Sequence, residues 1–389
     1  MMRAWLRLEA ACRRSRSAVL AATTIVLVVT VGVLVAGTSL SAAQRSEGMA
    51  FSSVYLRDGA TLCADDAPWT GPSSPPACWR PYADTSPFNQ EIPTGARLAA
   101  NSARVVERLL GFGPLQHLTA GDAGTAHDYG RPAYFNRTGD PVFSIHCTEQ
   151  WGTCPIEGMD VRIPDAARVP GGTDGHLSVV DQASGWEYDF WRVQSKPAGG
   201  GQIRIAWGGR TRIDGDGLGS DAVAARFGTL AGTLRAEELE AGTIEHALAI
   251  SVHCDSGGFV YPASHTGMSC SSEGLPIADA PAMGTRFQLA MTPDEIDALP
   301  VPPYRKALLL AMSRYGMYVA DTGGSWGIIQ VSALVTTSFG LDDRWVDLAE
   351  AVGAPYWAPD QRYAINVRDG VDWARYLRVI DPCVTERTC

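Results

Sequence analysis

Short segments of alternating or β-branched residues restrict the fold of this chain more than any other feature. Between residues 141 and 213 these segments read PVFSIHC, GMDVRIP, HLSVVD, WEYDFWRVQ and QIRIAWGG, and Gly, Pro and Asp separate them. Alternation with a period of two between turn residues is typical of β-strands. The pattern predicts a mainly β fold, an antiparallel and jelly-roll-like β-sandwich that carries several helices and long loops.

Helices are predicted outside this region. Thr292 and Glu295 form a capping box, and Pro293 occupies the first helical position between them. The segment AVAARFGTLAGTLRAEEL, residues 222–239, predicts another helix that glycines interrupt. No repeat of fixed period occurs, so we expect one β-sandwich-based domain over residues 79–389. A Pro- and Ser-rich linker, stapled by a disulfide, is expected over residues 44–78.

The N-terminus predicts export. Five arginines precede an apolar run over residues 18–37, and the small residues Ser41, Ala42 and Ala43 follow it. Residues 1–43 are therefore either a cleaved signal peptide or a retained transmembrane anchor. Both interpretations place the rest of the chain outside the cytoplasm, because the arginines stay inside. The protein is expected to be secreted or anchored to the outer face of the cytoplasmic membrane.

The cysteines agree with an oxidising compartment. Beyond the apolar run, eight of the nine cysteines fall into close pairs, which predicts four local disulfides. Zinc binding is the alternative, but no C-x-x-C occurs and the pairs lie far apart along the chain. The predicted pairs are Cys63 with Cys78, Cys147 with Cys154, Cys254 with Cys270, and Cys383 with Cys389.

The charge of the chain excludes nucleic acid as a partner. The 389 residues carry a formal net charge of -10, and Lys196 and Lys306 are the only lysines. Nucleic-acid binding requires clustered cations that neutralise phosphates, and no basic cluster follows the N-terminal segment. Contact with the membrane is expected only through that segment.

Two carboxylates on one strand suggest a reaction. In WEYDFW, residues Glu187, Asp189 and Trp191 are two apart and so share one face of the predicted strand. Glycoside hydrolysis uses two carboxyl groups, and a Trp can stack on a sugar ring. The sequence predicts Glu187 and Asp189 as catalytic residues and Trp191 as a substrate-binding residue. An exposed, solvated strand face is the alternative interpretation.

Further candidates lie near turns and strand ends. His176 in GTDGHLSVVD and Asp321 in ADTGGSWG are predicted to assist the carboxylates, as a base or as a group that orients a hydroxyl. A hydrogen-bonded structural role is the alternative for each histidine. The other predicted substrate-binding residues are His265 on a Pro- and Ser-rich loop, Trp326 beside Asp321, Asp216 and His246.

The segment DGDGLGSD has two interpretations. Asp214, Asp216 and Asp221 could coordinate calcium, although the segment lacks the glutamate that ends an EF-hand loop. A glycine-rich turn with capping aspartates is favoured. No other cofactor is expected, because the chain contains no phosphate loop, dinucleotide fingerprint, G-x-S-x-G or H-E-x-x-H motif.

Two resemblances bear on these expectations. The segments HLSVVDQASGWEYDFWRVQ, WGGRTRIDGDGLGSDA, GTIEHALAISV, VYPASH, PAMGTRFQL and RYGMYVADTGGSW resemble, in this order, a group of secreted proteins of actinobacteria and myxobacteria. This resemblance covers roughly residues 80–345 and implies export rather than a particular reaction. The EYD strand is also similar to laminarinase-like β-sandwich glycosidases, which carry E-x-D-x-x-E. Glu187 and Asp189 match that motif, but Arg192 occupies the third acidic position.

The sequence therefore predicts an exported, disulfide-stapled protein that acts on an extracellular polysaccharide as a glycoside hydrolase with paired carboxylates. A non-catalytic carbohydrate-binding or cell-envelope protein is one alternative. A polysaccharide lyase is the other, since a His or Tyr base would then replace the carboxylate pair.

Overall fold

The computed structural model describes residue 75 and residues 77–389, all of which belong to one compact unit. The predicted signal or anchor segment, Cys63 and most of the predicted linker lie outside the described residues. Within the described part of the chain, no helix has the length and apolar character needed to cross a membrane.

The described residues are mainly β, as predicted. The strands in chain order are β1 (Leu118–Ala120), β2 (Ala133–Phe135), β3 (Val142–Cys147), β4 (Asp160–Arg162), β5 (Leu177–Asp181), β6 (Trp186–Ser195), β7 (Gly201–Arg212), β8 (Leu248–Val252), β9 (Arg286–Leu289), β10 (Met317–Thr322), β11 (Gly327–Ile328), β12 (Tyr356–Trp357), β13 (Arg362–Ile365) and β14 (Leu377–Val379).

The helices are short and connect the strands. They are α1 (Ser102–Gly111), α2 (Ala236–Ala241), α3 (Pro293–Asp297), α4 (Pro303–Arg314), α5 (Leu334–Thr337), α6 (Arg344–Ala351), α7 (Trp373–Tyr376) and α8 (Pro382–Glu386), with 3-10 turns at Pro87–Asn89 and Cys270–Glu273. The capping box of Thr292 and Glu295 begins α3, as the sequence predicts.

The strands form three sheets. Their strand orders are β2-β5-β6-β7-β3-β4, β11-β8-β10-β9-β14 and β1-β13-β12. The six-stranded and five-stranded sheets are mixed, because β2 pairs with β5, β3 with β7 and β10 with β8 in parallel. The three-stranded sheet is antiparallel. The prediction of purely antiparallel pairing was wrong, since alternation of side chains reports a strand but not the direction of its neighbour.

Both faces of the six-stranded sheet are buried. Phe135 and Val180 belong to the large core that also contains β8 and β10. Tyr188 and Phe190, which point to the other face, belong to a second core with β3, β4 and Leu334. The polar residues of β5, β6 and β7 on the first face are therefore enclosed by protein along much of their length.

The expected helix over residues 222–239 is mostly absent. Only Ala236–Ala241 is helical, and the preceding residues form turns that pack against the six-stranded sheet. Leu218 bridges to Phe227, and the Gly228 N–H donates to the Gly217 carbonyl at 2.8 Å. These contacts to distant residues replace the intrahelical hydrogen bonds that local propensity favours.

Three of the four predicted disulfides are confirmed. Bonds join Cys147 to Cys154, Cys254 to Cys270, and Cys383 to Cys389. Cys78 is also disulfide-bonded, and its predicted partner Cys63 lies outside the described residues.

Gly209 gives a test of this packing. A Cβ atom at Gly209 would lie 2.2 Å from the Asp221 nitrogen, so the chain at residues 220–221 packs directly on β7. Gly209→Ala should lower the free energy of unfolding by about 1–3 kcal/mol, the usual cost of overpacking. Gly139→Ala is the control, because a Cβ there meets nothing within 4 Å, and its effect should stay within about 0.5 kcal/mol. Urea unfolding measures both, and equal effects would contradict the close approach.

Candidate functional site

A cleft of about 520 Å³ opens beside the six-stranded sheet. Its lining comes from β6 and β7, from the residues before β5, from the end of β10 and from three loops. The lining residues are Trp151, Asp174, His176, Trp191, Trp207, residues 221–224, Arg226, His265, Thr266, Asp321 and Thr322. Carboxylates, imidazoles and indoles thus surround one volume large enough for a small ligand.

Three tryptophans form one side of the cleft. Trp191 lies directly opposite Trp207 on the neighbouring strand. Trp151 stacks on Trp191, with ring centroids 5.6 Å apart and an interplanar angle of 30°, and lies 5.7 Å from the Trp207 ring. The short loop that carries Trp151 is closed by the disulfide between Cys147 and Cys154. Trp151 remains 63% exposed, so its outer face is available to a ligand.

Asp321, which lines the cleft, forms an ion pair with the buried Arg131. A guanidinium nitrogen of Arg131 lies 2.5 Å from Oδ2 of Asp321, and the Arg131 side chain is nearly fully buried whereas that of Asp321 is 25% exposed. The Thr322 N–H donates to Oδ1 at 2.8 Å. Burial raises the pKa of Asp321, Arg131 and the Thr322 N–H oppose this, and repulsion from Asp174 adds to the rise.

His176 is a neutral imidazole behind this pair. It is 5% exposed, and burial followed by repulsion from Arg131 holds its pKa well below the usual range. Its Nδ1 is buried and has no hydrogen-bond partner. Buried polar atoms normally have a partner, so this nitrogen is one of the exceptions among the described residues.

The backbone around β6 places Asp174 beside Asp321. The N–H groups of Arg192 and Val193 donate to the carbonyls of Asp174 and Gly175 at 2.9 and 3.0 Å. Arg192 has a φ of 51°, so the strand bends after Trp191 where it meets this loop. The bend brings the Asp174 carboxylate and the Trp191 ring to the same cleft.

The segment after β7 forms the opposite wall. Arg226 pairs with Asp221 at 2.8 Å. The Ala225 N–H donates to the Ala320 carbonyl at 3.1 Å, and the Ser264 N–H donates to the Ala225 carbonyl at 3.3 Å. These bonds tie the wall to β10 and to the loop that carries the exposed His265.

Four residues predicted from the sequence meet in this cleft. They are His176, Asp321, Trp191 and His265. They come from four separate segments, and each was proposed from its local pattern alone. Their catalytic and binding roles stay predictions.

Glu187 and Asp189 do not line the cleft. Both are 0% exposed, because the turn over residues 227–230 covers them. The Tyr82 hydroxyl donates to Oε2 of Glu187 at 2.6 Å, and the Leu230 N–H donates to Oε1 at 2.9 Å. The expectation that these carboxylates face an open sugar-binding surface was wrong, since a polysaccharide cannot reach them.

Three predicted substrate-binding residues lie elsewhere. Trp326 is 0% exposed in the core, and its indole N–H donates to the Gly113 carbonyl. His246 is buried, and its Nε2 lies 2.9 Å from the Glu238 carboxylate, which also pairs with Arg235. Asp216 is exposed and caps a turn by accepting from the Leu218 N–H. Trp326 and His246 thus lie in the interior and do not line the cleft.

The carboxylates proposed for calcium have separate partners. Asp214 pairs with Arg212 at 2.8 Å, Asp216 caps a turn, and Asp221 pairs with Arg226. Over residues 77–389, the one group of three or more potential metal ligands within 4.8 Å is His253, Cys254 and Glu273. The Cys254 sulfur is in a disulfide, so this group is not a thiolate metal site.

Several residues in or beside the cleft were not singled out from the sequence. Asp174 lies two residues before His176 in a Gly-rich turn, where a functional carboxylate is a reasonable expectation. Trp151 lies between Cys147 and Cys154, so its position on a disulfide-closed loop was available as a signal. Nothing in the local pattern of Trp207 or Arg131 marks either residue, because their roles depend on pairing across the fold.

Comparisons with known proteins leave the family of the chain open. No family model matches it, and no significantly similar curated protein or solved structure was found.

Replacement of Arg131 tests the electrostatics of the cleft. In Arg131→Gln, the pKa of Asp321 should rise, because its carboxylate loses a cation, and the pKa of His176 should also rise, because its imidazolium loses a repulsive neighbour. NMR titration of labelled Asp carboxyl carbons and His ring nitrogens measures both. Arg137→Gln on the exposed surface is the control. Unchanged values for both residues would show that Arg131 does not act on them.

Proposed function

We propose that this protein is an exported glycoside hydrolase that acts on an extracellular polysaccharide in the cleft. The observation that carries the proposal is a pair of neighbouring carboxyl groups, Asp174 and Asp321, beside the exposed ring of Trp151. Hydrolysis of a glycosidic bond requires two carboxyl groups on either side of that bond. The catalytic pair is thus moved from Glu187 and Asp189 to residues that a substrate can reach.

The two carboxyl groups have different surroundings, which suggests different roles. Both oxygens of Asp321 accept hydrogen bonds, from Arg131 and from the Thr322 N–H. These donors fix the carboxyl group in place and oppose the rise of its pKa that burial and Asp174 cause, and Asp321 would act as the nucleophile or base. Asp174 would supply the proton to the leaving oxygen. The neutral His176 would bind a sugar hydroxyl.

The tryptophans supply the binding surface in this proposal. A sugar ring presents C–H groups on its faces, which an indole can cover, while its hydroxyls bind carboxylates and imidazoles at the edges. Trp151 offers its outer face to the cleft and is supported from behind by Trp191 and Trp207. The disulfides of the described residues agree with export to an oxidising compartment.

The proposal includes a jelly-roll-like sandwich as the fold that carries the cleft. Residues of the six-stranded and the five-stranded sheets share the large core, which supports packing of one sheet on the other. The cleft of about 520 Å³ would hold the part of the polysaccharide at which the bond is cleaved.

A polysaccharide lyase is the second candidate. The observation that favours it is His176, whose lowered pKa leaves its imidazole able to accept a proton. Arg131 lies near it and would supply the positive charge that a uronate needs. The carboxylates Asp174, Asp221 and Asp321 oppose it, because they repel an anionic substrate. Unsaturated uronate products, detected by ultraviolet absorbance, would decide for the lyase.

Isosteric variants test the carboxyl pair. Asp174→Asn and Asp321→Asn should each lower activity by about 10²–10⁴-fold, because each removes a proton-transfer or charged group while it keeps the side-chain shape. The assay is the release of reducing ends from a panel of polysaccharides. Asp214→Asn is the control, since this exposed carboxylate pairs only with Arg212.

Two results would count against a hydrolase. Activity within about threefold of wild type in both cleft variants would remove Asp174 and Asp321 from the mechanism, since this is less than about 1 kcal/mol of barrier. Binding of a glycan without any release of ends would favour a non-catalytic carbohydrate-binding protein.

The binding surface is tested separately with Trp151→Ala. Loss of the ring should weaken glycan binding by about two- to twelvefold, equivalent to about 0.5–1.5 kcal/mol of aromatic contact. Trp357→Ala is a matched control, because Trp357 is 60% exposed on β12 and does not line the cleft. Isothermal calorimetry measures both. Equal losses in the two variants would mean that the tryptophan side of the cleft is not the binding surface.

A further inference from the structure

Glu187 and Asp189 lie directly behind the cleft on the same face of the sheet. Asp189 pairs in register with Ser178 and Gly209, and Glu187 follows two residues earlier along β6. Trp191 is two residues after Asp189 and lines the cleft. One strip of sheet is therefore open at Trp191 and covered at Asp189 and Glu187.

The two carboxyl groups are held by donors from two segments. Glu187 accepts hydrogen bonds from the Tyr82 hydroxyl and the Leu230 N–H. Asp189 lies next to Glu187, and its Oδ2 accepts a hydrogen bond from the Thr229 N–H at 3.3 Å. Gly228 permits this cover, because a Cβ there would lie 2.2 Å from the Tyr82 hydroxyl.

No cation compensates the pair. Within residues 77–389, neither carboxyl group forms an ion pair with Lys, Arg or His. The titratable group that faces Glu187 besides Asp189 is Tyr82, and Asp216 acts on Tyr82. Ionising two adjacent buried carboxylates without a counter-charge costs much free energy, so one of them favours its protonated form.

Unpartnered polar atoms surround Asp189. Its own Oδ1 and the hydroxyls of Ser178, Thr229 and Ser220 are buried without a hydrogen-bond partner. Ser178 and Thr229 adjoin Asp189 through the strand register and through the Thr229 N–H. None of these hydroxyl groups carries a positive charge, so none of them neutralises a carboxylate beside it.

We propose that Glu187 and Asp189 hold one proton between them, and that loss of this proton loosens residues 218–230, the segment that forms one wall of the cleft. This segment carries both the Thr229 and Leu230 donors and the ion pair of Asp221 with Arg226. A change at the carboxyl pair therefore reaches the cleft through about ten residues of continuous chain. The proposal does not depend on the reaction that the cleft performs.

The titration behaviour agrees with this geometry. Burial, and then the charge of Asp189, raise the pKa of Glu187 well above its ordinary value of 4.5. Burial and the two carboxylates also raise the pKa of Tyr82, so its hydroxyl stays protonated and donates. Because the folded pKa is the higher one, the stabilisation is fully present below the unfolded value and is lost as the pH rises through the folded value.

The test compares the full-length protein with Glu187→Gln between pH 5 and pH 9. A Gln amide can donate to Asp189 at every pH and so replaces the shared proton. The Tm of the wild type should fall at least about 2–4 °C more than that of the variant over this range. Asp122, whose pKa is raised to about 6 by burial and Asp128, contributes equally to both proteins and cancels in the difference.

Hydrogen exchange locates the effect. Protection factors, which correct for the intrinsic pH dependence of exchange, should fall about tenfold with rising pH over residues 218–230 in the wild type and stay constant in Glu187→Gln. Glu107→Gln, which changes an exposed carboxylate, is the control and should behave as wild type. Asp189→Asn provides the same test from the other side of the pair if Glu187→Gln does not fold.

Two outcomes would overturn the proposal. The first is an identical pH dependence of Tm in the wild type, Glu187→Gln and Asp189→Asn. The second is a rise of Tm at pH 8 on addition of calcium, reversed by a chelator and absent in both variants, which would show that a bound cation rather than a proton neutralises the pair.

Discussion

Burial of both faces of the six-stranded sheet is the constraint on which the rest of the structure depends. Successive residues of β6 point to opposite faces of the sheet. Phe190 packs in one core, whereas Asp189 points to the other face, where the turns after β7 cover it. The polar face must therefore be satisfied by protein atoms wherever it is covered. Where the cover ends, the same face becomes the floor of the cleft.

This constraint explains what the sequence could and could not predict. Local signals were sufficient for the capping box at Thr292 and for the disulfide between Cys147 and Cys154, since both partners are near in sequence. The alternation of WEYDFW correctly placed Glu187 and Asp189 on one face. It could not report that Phe227 to Leu230, some forty residues later, would cover that face.

The site was predicted in part for a related reason. His176, His265 and Asp321 were recognised because titratable residues in turns are often functional. Arg131 was missed although it touches Asp321, because an arginine before a strand carries no signal until the strand is placed. Residues 222–235 were misassigned as helix because their contacts to Tyr82, Gly217 and Ala320 outweigh local propensity.

The residues of the cleft come from separate segments between Trp151 and Thr322. No fragment of the chain that ends before β10 contains Asp321, and no fragment that begins after β7 contains the tryptophans. A compound that occupies the cleft therefore binds only the completed fold and draws the folding equilibrium toward it by mass action. Such a compound would protect regions far from its own contacts, including the second core, against unfolding and proteolysis.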